Sequence, residues 1–490
     1  MKLKQVITVL FLTVCIWGCG DAILDTTPTN TINSENFFQT PSDAIAALNG
    51  AYQTLQWPNQ YNFRYWTLDI LAANAEVGAG GGDDGLETKQ MSSFIIEPDN
   101  PGVEDLWRGI WPGVSKANFV MARVGEMTNL DADLKERIIA EAKFLRALYY
   151  FNGVRLFGGL PIITEPASDD LLVERSSVEK TYELIISDLT DAAEVLPPNY
   201  GGGQFNEVGR ATRGAAIALL AKVYLRIGDY EQAEKMARDV TTMGYDLNPN
   251  YWQNFEPFNE NDQESIFEVQ FSSGAGYDPF SKPHQGSWAT EFTNPRGSGL
   301  SPGGGYGWGH VTQEFVDAYE PNDDRKSVTV WEDGDTYGGF TYNPDYSSTG
   351  YNIKKWVRGS ESVSATDSDL NMPVIRYADV LLVLAEAINE QGRPQDAEEY
   401  INEVRDRAGL GDVTGLNQQD MRTQIFHERR MEFAFEGKWW FDLMRAGPDY
   451  AEDYFFERGK TSFDKTKHIL LPIPQTDRDL NPNLDQNDKY

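Results

Sequence analysis

Cysteine is nearly missing from this 490-residue chain: Cys15 and Cys19 are the only two. Both sit at the N-terminus, so cleavage between them leaves one thiol and no structural disulfide. Histidine is almost as scarce. His284, His310, His427 and His468 lie far apart in the sequence, and neither an HExxH motif nor a Cys/His cluster accompanies them, which argues against zinc. Basic charge is short as well: 42 Lys+Arg face 75 Asp+Glu, for a formal net charge of −33. A surface of that sign repels phosphate backbones, so no nucleic-acid partner is expected. Long apolar runs are absent beyond Val6–Trp17, which is too short to span a bilayer. Aromatic residues, by contrast, make up 12% of the chain and hydrophobic ones 40%. A disordered acidic chain lacks such material to bury, so this one folds.

The first apolar run is informative. Lys2 and Lys4 precede it, and it ends in Gly18-Cys19-Gly20. A charged start, a short apolar stretch and a small residue before cysteine resemble a bacterial lipoprotein signal. Ile16 and Trp17 depart from the usual lipobox, so the match rests on Gly18-Cys19 and its context. The reading is a signal peptide over 1–18 and lipidation at Cys19, with an ordinary secretory signal as the alternative. A multiply acylated Cys19 holds a membrane durably, whereas one acyl chain does so reversibly.

A polar tether over 19–40 leads to Thr40-Pro41-Ser42-Asp43, a helix-start signal followed by Ala44, Ala47, Leu48, Ala51, Tyr52 and Leu55 at helical spacing. Residues 57–102 read as loop-rich. Helical pattern resumes over 103–157, interrupted at Pro112 and at 128–133, and continues over 176–196, 210–227, 229–243, 374–391, 393–408 and 418–446. Between 245 and 373 the texture turns to Gly, Asn, Pro, Ser and aromatics, with short strand candidates at Ser265–Gln270 and Val328–Trp331. This divides the chain into an N-terminal helical region over 41–244, a loop-rich insertion over 245–373 and a C-terminal helical region over 374–490. Two helical pairs share a pattern: Ala221, Tyr224, Gly228, Ala233 and Ala385, Ile388, Gly392, Ala397 fall at identical offsets. Small residues let paired helices approach, and the intervening Gly turns the chain back. The pattern resembles a tetratricopeptide hairpin, although the copies are not tandem. The expected fold is mostly α: a TPR-like superhelix of helical pairs against a loop-rich, partly irregular lobe with a few short strands. By itself that implies an interaction scaffold.

Five separated blocks carry a more specific resemblance. They are Ala140–Ala147 with Tyr149-Tyr150-Phe151 and Phe157–Pro161; Ala218–Leu225; Ile375–Leu382 with Ala385-Glu386; Glu428–Phe433 through Trp439–Leu443; and Leu471–Pro474 with Asn481–Leu484 and Gln486-Asn487. In order and spacing they resemble the SusD/RagB family of outer-membrane nutrient-binding lipoproteins. The resemblance spans essentially the whole chain after Cys19. It implies a non-catalytic, cell-surface lipoprotein held on the outer membrane by its lipid. Such a protein caps a SusC-like TonB-dependent transporter and delivers oligosaccharide or polysaccharide to it, or peptide in the RagB branch. A TPR-like protein-interaction scaffold and a secreted glycosidase are the other readings.

Sugar recognition uses aromatic planes for ring faces and carboxylates, amides or guanidinium groups for hydroxyls. Two regions offer this mixture: Tyr61–Trp66 with Asp69, Asn74, Asp83 and Asp84, and 274–310 with Tyr277, Phe280, His284, Trp288, Phe292, Asn294, Arg296, Tyr306 and Trp308. The foremost candidates are Tyr65, Trp66, Tyr277 and Trp288, with Asp83 and Arg296 as polar partners. Trp308, Trp439 and Trp440 read as packing residues, and Arg376, placed on the 375–382 helix, as a structural ion pair. No cofactor is expected. Asp479, Asn481, Asn483 and Asp485 mimic the start of a calcium loop, but Leu484 and Tyr490 occupy the positions that need Gly and Glu, leaving only adventitious calcium.

Overall fold

A computed structural model describes residues 37–490 except 167–171, 202–206, 275–284 and 359–363. Cys15, Cys19, the tether up to Asn36, Tyr277, Phe280 and His284 therefore lie outside the described residues. Helices dominate. The N-terminal set is α1 (Pro41–Gln53), α2 (Arg64–Leu71), α3 (Leu86–Ser92), α4 (Pro101–Arg108), α5 (Ile110–Glu126), α6 (Ala132–Phe157), α7 (Val178–Val195), α8 (Arg213–Ile227) and α9 (Tyr230–Thr241). Thr40 caps α1 reciprocally with Asp43, as its sequence signal requires. Pro112 falls in the first turn of α5, where its missing N–H costs no helical bond. The break before α5 is at Gly109, where a Cβ would stand 2.4 Å from the Asn59 carbonyl oxygen.

Short helices α10 (Ala289–Thr293), α11 (Gln313–Asp317) and α12 (Asp324–Thr329) occupy the loop-rich stretch. Then follow α13 (Tyr377–Glu390), α14 (Pro394–Arg407), α15 (Gln418–Glu432), α16 (Trp439–Ala446), α17 (Pro448–Glu457) and α18 (Gln475–Leu480). The strands are β1 (Ala75–Gly78), β2 (Ser265–Val269), β3 (Trp308–Val311), β4 (Val330–Trp331), β5 (Thr336–Tyr337), β6 (Phe340–Thr341), β7 (Asn352–Ile353) and β8 (Met372–Arg376). One antiparallel sheet runs β1-β3-β7-β4; β2 pairs β8, and β5 pairs β6.

The two TPR-like pairs are α8/α9 and α13/α14. Gly228 and Gly392 turn each pair in the left-handed region, at φ +79° and +78°. Although distant in sequence they stack directly, α9 on α13. A buried ionic chain ties them further. Lys222 on α8 pairs with Asp379 on α13, and Arg429 Nη1 on α15 lies 3.0 Å from the same carboxylate. Arg429 Nε then reaches Asp442 at 2.9 Å, and Arg445 joins Asp442 to Glu386.

Three sequence expectations change. Residues 57–102 are not open loop: α2 is buried at every position, because both faces of its short amphipathic run are covered. The 418–446 pattern is two helices, broken where Phe435 (φ +62°) and Gly437 (φ +70°) turn left-handed. A Cβ on Gly437 would stand 2.2 Å from the Tyr65 carbonyl oxygen, so only glycine admits α2 here. Arg376 ends strand β8 rather than lying in a helix, because the chain there pairs with β2 before α13 begins.

The structural ion pair expected of Arg376 is a larger assembly. Its guanidinium reaches Glu264 at 2.6 Å, Glu432 at 2.7 Å and Glu436 at 2.7 Å. Arg407 bridges Glu264 and Glu432, Arg325 bridges Asp323, Glu428 and Glu432, and Lys355 reaches Glu436 at 3.0 Å. Their charged side chains are all buried, so this network fastens 245–373 to α15 and β8 by charge as well as by packing.

Candidate functional site

The two aromatic-rich regions named from sequence meet. Asn62, fully buried, joins them: its Oδ1 accepts from the Trp288 backbone N–H at 2.6 Å, and its Nδ2 donates to the Gln56 and Gly286 carbonyls at 2.9 and 3.0 Å. Around that joint Phe63 packs against Phe292 (4.6 Å between centroids), Trp308 (5.1 Å) and Trp66 (5.4 Å). Trp288 stacks on Phe292 with 3° between planes, and Tyr306 meets Phe292 edge-on. Asn62→Ala should lower stability by about 1–3 kcal/mol, since it leaves one buried N–H and two carbonyls unpaired. Hydrogen exchange should speed up selectively around 286–293.

Burial corrects part of the candidate set. Trp66 is 1% exposed, Tyr65 3% and Trp288 7%. A ring covered on both faces cannot stack on a sugar, so in this conformation these three support the surface from beneath. Tyr65 stacks on Tyr61 at 4.6 Å, which explains its burial. Asp69 and Asn74 are also structural: Asn74 Nδ2 donates to Asp69 at 2.8 Å, Gly437 N–H donates to Asp69 at 2.8 Å, and Asn74 Oδ1 accepts from Arg430. Burial pushes the Asp69 carboxyl up to about 6 against these bonds. Trp308 lies under Gly85 and Val77, while Trp439 and Trp440 are core.

The groups that reach the surface here are Phe292 and Tyr306, half-buried, with Asp83, Asp84 and Arg296 exposed. Arg296 donates to the Tyr306 carbonyl at 3.0 Å and stands 3.6 Å from Asp84, whose carboxylate accepts from Gly80 N–H at 2.9 Å. The surrounding glycines have a packing purpose. Buried Glu291 accepts from Gly303 and Gly305 N–H groups at 3.1 and 2.8 Å, and a Cβ on Gly305 would stand 2.4 Å from the Pro295 carbonyl. Beneath this loop the Asn294 amide is buried with neither its oxygen nor its nitrogen bonded among the described residues. Beside it, a cavity of ≈ 480 Å³ opens along β1 and β3, lined by residues that include Glu76, Gly78, Lys89, His310, Ser348 and Lys460. Sequence reasoning missed this cavity, because its residues come from five separate segments and none is aromatic except the imidazole.

The described residues here offer no catalytic constellation. Gly299-Leu300-Ser301-Pro302-Gly303 has the spacing of a serine-nucleophile motif. It follows no strand and opens no helix, and buried Ser301 Oγ has no hydrogen-bond partner among the described residues, so no base activates it. In the calcium-like segment, Asn481 and Asn483 donate their amides to the Val173 and Leu172 carbonyls. Among the described residues no group of three or more His, Cys, Asp or Glu is placed to hold a metal ion. No described helix is long and apolar enough to cross a membrane.

Comparison with known proteins places the chain by family and fold. Residues 263–490 match the SusD family model, and 23–225 match a SusD-like model described as starch-binding and associating with the outer membrane. SusD-like protein P2 of Formosa agariphila is 29% identical over 98% of this chain and 98% of its own length. The starch-binding protein SusD of Bacteroides thetaiotaomicron is 26% identical over 82% of this chain and 81% of its own. Surface glycan-binding protein A from B. thetaiotaomicron, solved in complex with laminarihexaose, superimposes with a TM-score of 0.78 at 27% identity, covering 91% of this chain and 99% of that one. The chain belongs to the SusD/RagB family of non-catalytic glycan-binding proteins associated with the outer membrane.

Proposed function

We propose that this chain is a cell-surface lipoprotein, anchored through Cys19, that captures an oligosaccharide or polysaccharide and delivers it to a SusC-like TonB-dependent transporter. The observation that carries the reading is the convergence of residues 57–85 and 286–310 on one surface. Its floor is the aromatic cluster, its rim Asp83, Asp84 and Arg296, and partly exposed Phe292 and Tyr306 supply ring faces. A rigid aromatic floor suits pyranose faces, and a mixed carboxylate–guanidinium rim suits hydroxyls, which both donate and accept. Relatives that bind starch and laminarihexaose support the ligand class. The lipid anchor and the transporter follow from Gly18-Cys19 and from the family resemblance.

The test is calorimetric titration of the purified protein against plant, algal and fungal glycans and mixed peptides, with product release assayed in parallel. Saturable micromolar glycan binding without turnover is the expected result. Binding of peptides alone would replace the glycan reading with a peptide-capturing one. Arg296→Ala should weaken glycan binding about tenfold, the worth of a charge-assisted hydrogen bond, with an unchanged circular dichroism spectrum. Unchanged affinity would move the site away from this rim.

A further inference from the structure

The cavity beside the rim has an unusual charge for this chain. Two ammonium groups line it, Lys89 from α3 and Lys460 from the turn after α17, in a protein whose formal net charge is −33. Neither is ion-paired among the described residues. Lys89 donates one hydrogen to the Gly82 carbonyl at 3.0 Å, which leaves two. Lys460 is half-buried; burial lowers its pKa, and Glu76 is the charge that opposes the shift.

A third donor is fixed by the sheet. His310 stands opposite Glu76 in the β1–β3 ladder. Its Nδ1 accepts from the Ser348 backbone N–H at 3.1 Å and lies 2.8 Å from Ser348 Oγ. Burial keeps the imidazole neutral, so the remaining ring hydrogen is on Nε2, which has no acceptor among the described residues. Gly78 makes room for the ring: at φ +69°, a Cβ there would stand 2.3 Å from His310 Cδ2.

The lining therefore presents two ammonium groups and an imidazole N–H against the single carboxylate of Glu76. Neutral sugar hydroxyls call for donors and acceptors in comparable number, whereas a set this rich in donors is matched by an oxyanion. Glu76 offsets only one of the two ammonium charges, so a half-buried Lys460 sharing it with Lys89 gains from an anion bound beside it.

Building on the glycan-binding reading, we infer that this cavity takes an anionic substituent of the bound glycan, a carboxylate or a sulfate ester, held by Lys89, Lys460 and His310 Nε2–H. The substrate class is then a charged polysaccharide, with its uncharged ring faces on the neighbouring aromatic floor.

The test pairs each charged ligand with its neutralised form. An oligogalacturonate and its carboxyl-reduced counterpart, and a sulfated galactan oligosaccharide and its desulfated counterpart, are titrated at low and high salt. Both the wild-type chain and the Lys89→Gln/Lys460→Gln variant are used, with fold checked by circular dichroism. In at least one pair the charged form should bind about tenfold or more tightly than the neutral one. The ratio should shrink at high salt and collapse in the variant. The responsive pair tells carboxylate from sulfate. Equal binding of charged and neutral forms by the wild-type chain, or a ratio that survives in the variant, overturns the inference and leaves glycan binding standing. Failure of every form to bind removes both.

Discussion

Replacing Arg376 with Leu should lower the unfolding free energy by about 3–5 kcal/mol, the range for breaking a buried ion pair from one side. Glu264, Glu432 and Glu436 converge on this guanidinium, and none of the three is exposed to water that would replace it. Stabilities of folded domains run to only about 5–15 kcal/mol, so the variant should accumulate poorly and unfold at much lower urea. Arg376→Lys should rescue little, because one ammonium cannot reach three carboxylates that a planar fork spans. Equilibrium urea denaturation of the two variants is the measurement. A loss under about 1 kcal/mol would mean that water enters the network and screens it.

Acid should affect this protein in two opposite stages. Burial raises the carboxyl of Asp69 to about 6 from an ordinary 3.8. The stability it contributes is fully present below the unfolded value and is lost as pH rises through 6, by about 3 kcal/mol. Glu436 behaves the other way: burial opposes ionisation, but Arg376, Lys355 and Lys438 hold it down at about 2. Its contribution is present above about 4.5 and is lost as pH falls toward 2, again by about 3 kcal/mol. Glu432, held low by Arg407, Arg376 and Arg325 against its burial, adds to the second stage. The carboxylates therefore set a maximum at about pH 4–5, with Glu260, raised by burial to about 8, reinforcing the rise from neutral pH and buried His468, lowered to about 4, opposing it. Denaturation midpoints across this range check it, and a monotonic decline from pH 7 would show that Asp69 is ionised at little cost.

How far the sequence reached depends on what each signal measures. Helices with one apolar face, such as α7 and α9, were legible because their periodicity records burial directly. The same logic failed at α2, whose mixture of Arg64, Tyr65, Trp66, Thr67 and Asp69 reads as surface although every residue is covered. Its two charged groups, Arg64 and Asp69, are paired with residues outside the helix, Asp105, Glu87 and Gly437, which periodicity does not encode. The site followed the same division. That residues near 60 and near 290 each carry an aromatic and polar mixture was legible from composition, but that they meet was not. Which rings face outward was not, because an aromatic residue in a loop has the same signature whether it floors a surface or crowns it. The Lys89–His310–Lys460 cavity left no local trace at all.

The bonds of α2 and the turn that follows it have a further bearing on how the chain is made. Asp69 needs Gly437, Asn74 needs Arg430, and the Ala72 carbonyl needs the Tyr454 hydroxyl, contacts that reach back across most of the sequence. Synthesis delivers residue 72 long before residue 454 exists, so this aromatic floor stays unlatched until the last part of the chain arrives. Such nonlocal closure slows folding and leaves apolar surface open in the interval. Folding order is thereby set from the C-terminal end: a nascent chain halted before α15 carries every aromatic of the floor and none of the residues that close over it.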